Sequence, residues 1–301
     1  MKKIIALAVV MVFLLNLGVN KASADSTVTE GAWFGSWSSY ESQHVENFEA
    51  ITQTKLGIVQ TFVNTNMTLA DFGPTLNYVD SKGAMNLVTL TPHGYTTKEI
   101  NNGKLDKYYT NLAKQFKDWN NGKEVWIRFL HEGNGNWYSW SIGDSRVNTN
   151  DSYKAAYRRV VDIFRKQGAT NVKWVYNVNN GNVGANASFT NAYPGSDYID
   201  YVSIDGYNWG TATSWSKETS FREVFDKAYE ALLPLGKPLI LTEVGCSETG
   251  TNKAAWVTEA YSQIKSGAYK NLMALVWFNE NKEYDWRINS SDAALTAYIN
   301  K

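Results

Sequence analysis

One cysteine, Cys246, and three histidines are all that the 301 residues hold of the side chains most used in thiol and metal chemistry. A single thiol forms no intramolecular disulfide, so a chain of this length must stand on core burial alone. With no histidine near it in sequence, Cys246 reads as a small core residue, and a thiol hydrolase is the lesser alternative. The stretch HEGNG lacks the second histidine of a zinc-binding H-E-x-x-H helix, and there is no GxxxxGK or strand-linked GxGxxG. Neither a metal nor a nucleotide cofactor is therefore expected. Charge of one sign is missing too: Lys+Arg and Asp+Glu number 29 each, so nothing electrostatic points to nucleic acid or to an anionic membrane. Pro- or Ser-rich linkers and low-complexity tracts are absent, which argues for one domain.

The only extended apolar run lies at the start. MKK, then IIALAVVMVFLLNLGVN, then Ala22-Ser23-Ala24 has the basic, apolar and small-residue parts of a secretory signal peptide. Residues 1–24 are expected to be removed, leaving residues 25–301 as a secreted domain. The run of about 17 residues could just span a bilayer, so an uncleaved anchor is the alternative. Aromatic residues, in contrast, are plentiful: 12 Trp, 18 Tyr and 12 Phe, 14% of the chain. Sugars present apolar C–H faces that stack on such rings, although an aromatic-rich core would give the same composition.

Apolar runs over 31–37, 56–63, 86–91, 125–130, 172–178, 201–207, 238–244 and 272–278 read as strands. Helical patterns fall between them, over 45–54, 74–82, 105–120, 152–167, 221–235, 253–266 and 292–300. In 152–167, Tyr153, Ala156, Val160, Ile163 and Phe164 share one face, Asn150-Asp151 supply N-cap candidates and Gly168 a terminator. Eight near-continuous apolar strands alternating with helices predict a parallel sheet covered by helices, and within one domain a closed (β/α)8 TIM barrel. An open doubly wound sheet is the runner-up.

The polarity changes abruptly at two strand tips. EVWIRFLHEGNG (124–135) passes from strand to Glu132 in a glycine-rich turn, and PLILTEVG (238–245) leads into Glu243. Tips of barrel strands share one rim, so these carboxylates can face one cleft. Two such carboxylates suit a glycoside hydrolase, one giving a proton to the leaving oxygen and the other meeting the developing oxocarbenium ion. Structural salt bridges are the bland alternative.

RFLHEGNGNWYSW resembles the HE-x-NG-x-W signature of glycoside hydrolase family 26. The likeness continues through LTEVG, SRVNTN, GATNVKWVYNVN, YVSIDGYNWGT and ALVWFNENKEYDWRINSS, most of the mature chain. It implies a retaining endo-β-glycanase on a (β/α)8 barrel, with Glu132 as acid/base and Glu243 as nucleophile. It further implies His131 beside the acid/base, Trp137 bordering the subsite next to the cleaved bond, Tyr207 bonding the nucleophile and Trp277 flooring the same subsite. The later stretches look most like the secreted mixed-linkage glucanases (lichenases) of the family. The third-strand tip, LTPHGY, departs from them, and His93 there is similar to a histidine of the β-mannanases. The expected substrate is thus mixed-linkage β-1,3-1,4-glucan, with β-1,4-mannan the alternative; the expected partner is a polysaccharide, bound by a monomer. A non-catalytic sugar-binding barrel is the rival of another class.

Other residues keep two readings. Asp205, Asn177 and Asn179 serve either the site or rim hydrogen bonding. Trp140 and Trp209 serve either loop packing or outer sugar subsites. In NENKEYDWR, the charges read as loop residues and Trp286 and Arg287 as an edge of the cleft.

Overall fold

Eight apolar runs become eight parallel strands: β1 (Thr29–Trp33), β2 (Ile58–Asn64), β3 (Met85–Thr91), β4 (Val125–Phe129), β5 (Val172–Asn179), β6 (Tyr201–Asn208), β7 (Leu239–Cys246) and β8 (Leu272–Phe278). They pair in chain order and β8 returns to β1, closing a barrel. The helices are α1 (Glu41–Thr52), α2 (Leu69–Ser81), α3 (Thr97–Asn101), α4 (Asp106–Asp118), α5 (Asn150–Lys166), α6 (Phe221–Leu232), α7 (Lys253–Lys265) and α8 (Asp292–Ile299). This computed structural model describes residues 28–35 and 41–301; the expected signal peptide, 1–24, lies outside the described residues. Among those described, no helix is long and apolar enough to cross a membrane.

Strand alternation divides the interior in two. One set of side chains, including Ile58, Leu87, Trp126, Val175, Ile240 and Val276, fills the inside of the barrel. The other set packs outward beneath the helices, as Val59, Val88, Ile127, Leu241 and Trp277 do.

Three helices differ from their sequence reading, α1 by starting at Glu41 rather than at Val45. α2 begins at Leu69 rather than at Pro74, because the Asp71 carboxylate accepts from the Thr68 backbone N–H (2.6 Å) and fixes an earlier start. Pro74 lies inside the helix as a result. α3 is an unexpected single short turn, capped by Thr96 and Glu99.

The barrel is irregular at β7. Ile204 faces Leu241 and Asp205 faces Glu243, while Leu241 faces Leu275 and Val244 faces Trp277. β7 therefore carries an extra residue at Thr242-Glu243 relative to both neighbours, a bulge of the kind that re-aims side chains beside active sites. Thr242 and Glu243 both turn inward, where a regular strand would send one of them out.

Candidate active site

β4 carries a charge into the interior of the barrel. Arg128, wholly buried, points inward and would be costly there alone. It is not alone. Its Nε donates to Thr89 Oγ1 (2.9 Å), Nη1 to a carboxylate oxygen of Asp205, and Nη2 to Glu243 Oε1 (2.5 Å). With its amide oriented to satisfy both neighbours, Gln60 accepts from Nη2 (3.0 Å) and donates to the Thr242 carbonyl (2.9 Å). Thr242 Oγ1 donates to Asp205 Oδ1 (2.6 Å), and Asn177 Nδ2 reaches Asp205, Ser203 and Thr242. Burial raises the Asp205 carboxyl and the facing guanidinium opposes that rise. Asp205 and Asn177 are thus buttresses beneath the rim.

Glu243, on the bulge, is 6% exposed. Arg128 holds one of its oxygens, and Tyr207 Oη donates to the other (2.5 Å). Glu132 follows β4 in a strained turn: Leu130 and Glu132 have φ of 51° and 50°, unusual for side chains of this kind. The turn is held by the Glu132 N–H donating to Asn177 Oδ1 (2.8 Å) and by Tyr153 Oη donating to the Leu130 carbonyl (2.5 Å). Asn134 links it to the β5 tip, donating to the carbonyls of Asn179 (2.9 Å) and Gly181 (3.1 Å). The Glu132 carboxyl accepts from Asn179 Nδ2 (2.7 Å) and Trp137 Nε1 (2.9 Å), both neutral donors. Burial, and then the charge of Glu243, push its pKa up to about 7.

Above these carboxyls lies a cleft of about 1180 Å³. Aromatic side chains dominate its walls, among them Trp33, Phe62, Tyr138, Trp209, Phe278 and Trp286. Trp137, 44% exposed, stands at its rim. His93 is exposed on the wall formed by the β3 end, near Tyr138.

The structure thus brings Glu132, Glu243, Tyr207, Trp137 and His93 to one cavity and leaves two expected residues out of it. Trp277 does not floor the cleft. Val276 and Phe278 face inward, so period-two alternation turns Trp277 outward, where it is fully buried against Trp256 and Tyr298. Phe278 takes the cleft position. His131 does not reach the cleft either. Its ring is buried beneath Tyr138 (4.6 Å between centroids) and beside Trp140 (5.5 Å), and among the described residues its nitrogens have no hydrogen-bond partner. Burial holds that imidazole well below its usual pKa, hence neutral. Trp140 is core, its indole donating to the His131 carbonyl (2.8 Å), while Trp209 lines the cleft. Arg287 pairs with Asp285 (2.6 Å) and is not among the lining residues. The sequence reading missed Arg128, although a lone arginine inside an apolar strand was a visible signal. Among the described residues no cluster of His, Cys, Asp and Glu is suited to a metal ion.

A closed (β/α)8 barrel with two buried carboxyls at the C-terminal ends of β4 and β7, under an aromatic cleft, defines a glycosidase-like site. The sequence profile of glycosyl hydrolase family 26 matches residues 88–272, and the chain belongs to that family. It is 49% identical to endoglucanase H of Acetivibrio thermocellus over 270 residues, which are 89% of this chain and 29% of that protein. To a mannan endo-1,4-beta-mannosidase of Bacillus subtilis it is 29% identical over 182 residues, 58% of this chain and 44% of that protein. It therefore spans less than half the length of these curated relatives. Its fold is also that of a family 26 beta-mannanase from Bacteroides ovatus, with a TM-score of 0.68 at 17% identity, covering 92% of this chain and 88% of that one.

Proposed function

We propose that the protein is a secreted, monomeric, retaining endo-β-glycanase that hydrolyses mixed-linkage β-1,3-1,4-glucan, with Glu132 as acid/base and Glu243 as nucleophile. The observation that carries this reading is the unequal company of the two carboxyls. Arg128 donates to one Glu243 oxygen and Tyr207 to the other, which orients that carboxyl for attack. Glu132 has only neutral donors and a pKa pushed up to about 7, so it still holds a proton in mildly acidic solution where an ordinary carboxyl has lost it.

In the first step Glu132 gives its proton to the glycosidic oxygen while a Glu243 oxygen forms a bond to the anomeric carbon. The C–O bond to the leaving sugar breaks, and a glycosyl ester remains. Esterification removes the negative charge that helped raise the Glu132 pKa. Glu132, now ionised, can take a proton from the water that cleaves the ester, which returns both carboxyls to their starting states.

Kinship supports the choice of glucan: identity to endoglucanase H is 49% across 89% of this chain, against 29% across 58% for the mannosidase. β-1,4-Mannan is the second reading, supported by His93 on the cleft wall. Secretion rests on the composition of residues 1–24.

Residues 25–301 should release reducing sugar from barley-type mixed-linkage glucan faster than from galactomannan. Faster release from galactomannan would make mannan the substrate, and release from neither would sink the proposed activity. The carboxyl roles separate with azide as an external nucleophile and an activated aryl glycoside as substrate. Glu243→Ala should give the α-glycosyl azide by single displacement, and Glu132→Ala the β-azide from the glycosyl ester. The opposite pairing would exchange the roles.

A further inference from the structure

Lys253 breaks a local rule. It is the first residue of α7, where free N–H groups and the helix dipole favour anions, and it is 1% exposed, where an ammonium is costly. A residue that violates two preferences is expected to be compensated elsewhere, commonly at a functional site. The compensation lies in the segment between β8 and α8. Lys253 Nζ donates to the carbonyls of Asp285 (3.2 Å) and Arg287 (2.6 Å) and to Ser290 Oγ (2.8 Å). Ser290 Oγ in turn donates to Glu248 Oε1 (2.6 Å) on the β7–α7 connection.

The two carbonyls bracket Trp286, whose side chain this clasp holds at the cleft. Trp286 is 1% exposed and its ring lies 5.0 Å from that of Tyr207 and 4.8 Å from that of Trp209. Beneath the pair is Gly245, where an added Cβ would stand 2.7 Å from the Tyr207 ring and 3.1 Å from that of Trp286. Tyr207 therefore has backbone on one side and Trp286 on another, with its hydroxyl on Glu243 Oε2 (2.5 Å). Burial draws Lys253 down to about 8, which leaves it mainly an ammonium at neutral pH with all three N–H donors in use.

We propose that Lys253 is a positioning residue for the reaction: by pinning the carbonyls on either side of Trp286 it locks Tyr207, and through Tyr207 the Glu243 carboxylate, in the geometry of attack. The proposal rests on the glycosidase reading of the site and adds to it a residue that touches neither substrate nor the reacting atoms. Lys253→Met keeps most of the side-chain volume and removes the donors. Its kcat should fall about tenfold at 25 °C, with KM changed less than twofold. Trp286→Phe should fall comparably, and the double variant should be no slower than about the worse single one, because both act through one contact. Trp137→Phe, on the opposite rim, should combine multiplicatively with Lys253→Met.

Multiplicative loss in the Lys253→Met/Trp286→Phe double variant would overturn the proposal, as would a lowered melting temperature with unchanged kcat. A second readout needs no substrate. The near-ultraviolet circular dichroism contributed by Trp286, taken as wild type minus Trp286→Phe, should vanish in Lys253→Met; its persistence would also overturn the proposal, even if no polysaccharide is hydrolysed. Should Lys253→Met fail to fold, Ser290→Ala removes one acceptor, and its kcat should fall two- to threefold with the same dependence on Trp286. Independence from Trp286 there would equally overturn it.

Discussion

Glu132 carries a stability cost that follows from its environment. Its pKa of about 7 lies above the ordinary 4.5, so the folded chain holds a proton that the unfolded chain releases between those values. The stabilisation linked to that proton is complete below about pH 4.5 and disappears as pH rises through about 7. At about 1.4 kcal/mol per pH unit, the difference is on the order of 3 kcal/mol at pH 8. Glu132→Gln should therefore melt higher than wild type at pH 8 and close to it at pH 4, while turnover of polysaccharide falls by about 10²–10⁴. Calorimetry at the two pH values checks the first expectation; equal melting shifts at both would mean that the carboxyl is not held protonated. Activity should decline above about pH 7 as Glu132 ionises. The Trp137 indole favours the ionised form by donating to it, so Trp137→Phe should move that alkaline limb to higher pH. A limb displaced to lower pH would contradict the assignment.

The elements matter for how they aim these residues. β4 ends in a left-handed turn that no regular strand would make, and Gly133 within it lets α5 come close. An added Cβ there would stand 2.4 Å from the Tyr153 ring, whose hydroxyl holds the Leu130 carbonyl. Gly133→Ala must push Tyr153 or the turn aside, costing about 1–3 kcal/mol in urea unfolding. It should also lower kcat, since the turn carries Glu132; a stability loss without a kinetic one would show that the turn yields without moving the carboxyl. The strands, most helices and both tip glutamates were legible because strand tips, apolar runs and caps are local. The β7 bulge was not, because an extra residue is visible only against the registers of β6 and β8. Trp277 was misplaced for a related reason: its position near a strand end was legible, but one step along the strand reverses its direction. His131 was placed at the site by the family resemblance, yet the bend between it and Glu132 sends its ring beneath Tyr138. Lys253 had a signal, a basic residue directly after the Asn252 cap, but its acceptors lie more than thirty residues on.

At the scale of the whole molecule, closing the barrel joins the first strand to the last, the pairing whose partners are most remote in sequence and whose ordering costs the most loop entropy. The seam is held by a polar chain buried away from the cleft. Trp277 Nε1 donates to Tyr261 Oη (3.1 Å), and the hydroxyls of Tyr261 and Tyr298 both donate to Glu30 Oε2 (2.8 and 3.0 Å). Lys301 adds its ammonium over the Tyr298 ring, 3.6 Å from the centroid, and donates to Thr54 Oγ1 (2.7 Å). β1, β8, α7 and α8 therefore meet on one carboxylate, and Trp277 has its role there. Glu30→Leu leaves two buried hydroxyls without their acceptor, at about 1–3 kcal/mol each. The urea midpoint should fall accordingly with an unchanged slope, and Trp277→Phe should fall in the same direction by about 1 kcal/mol, the worth of one hydrogen bond. KM should stay at the wild-type value in both variants, because neither side chain reaches the cleft. A raised KM in Trp277→Phe would return that residue to the substrate site; an undiminished midpoint in Glu30→Leu would place the strength of the seam in the β1–β8 backbone ladder alone.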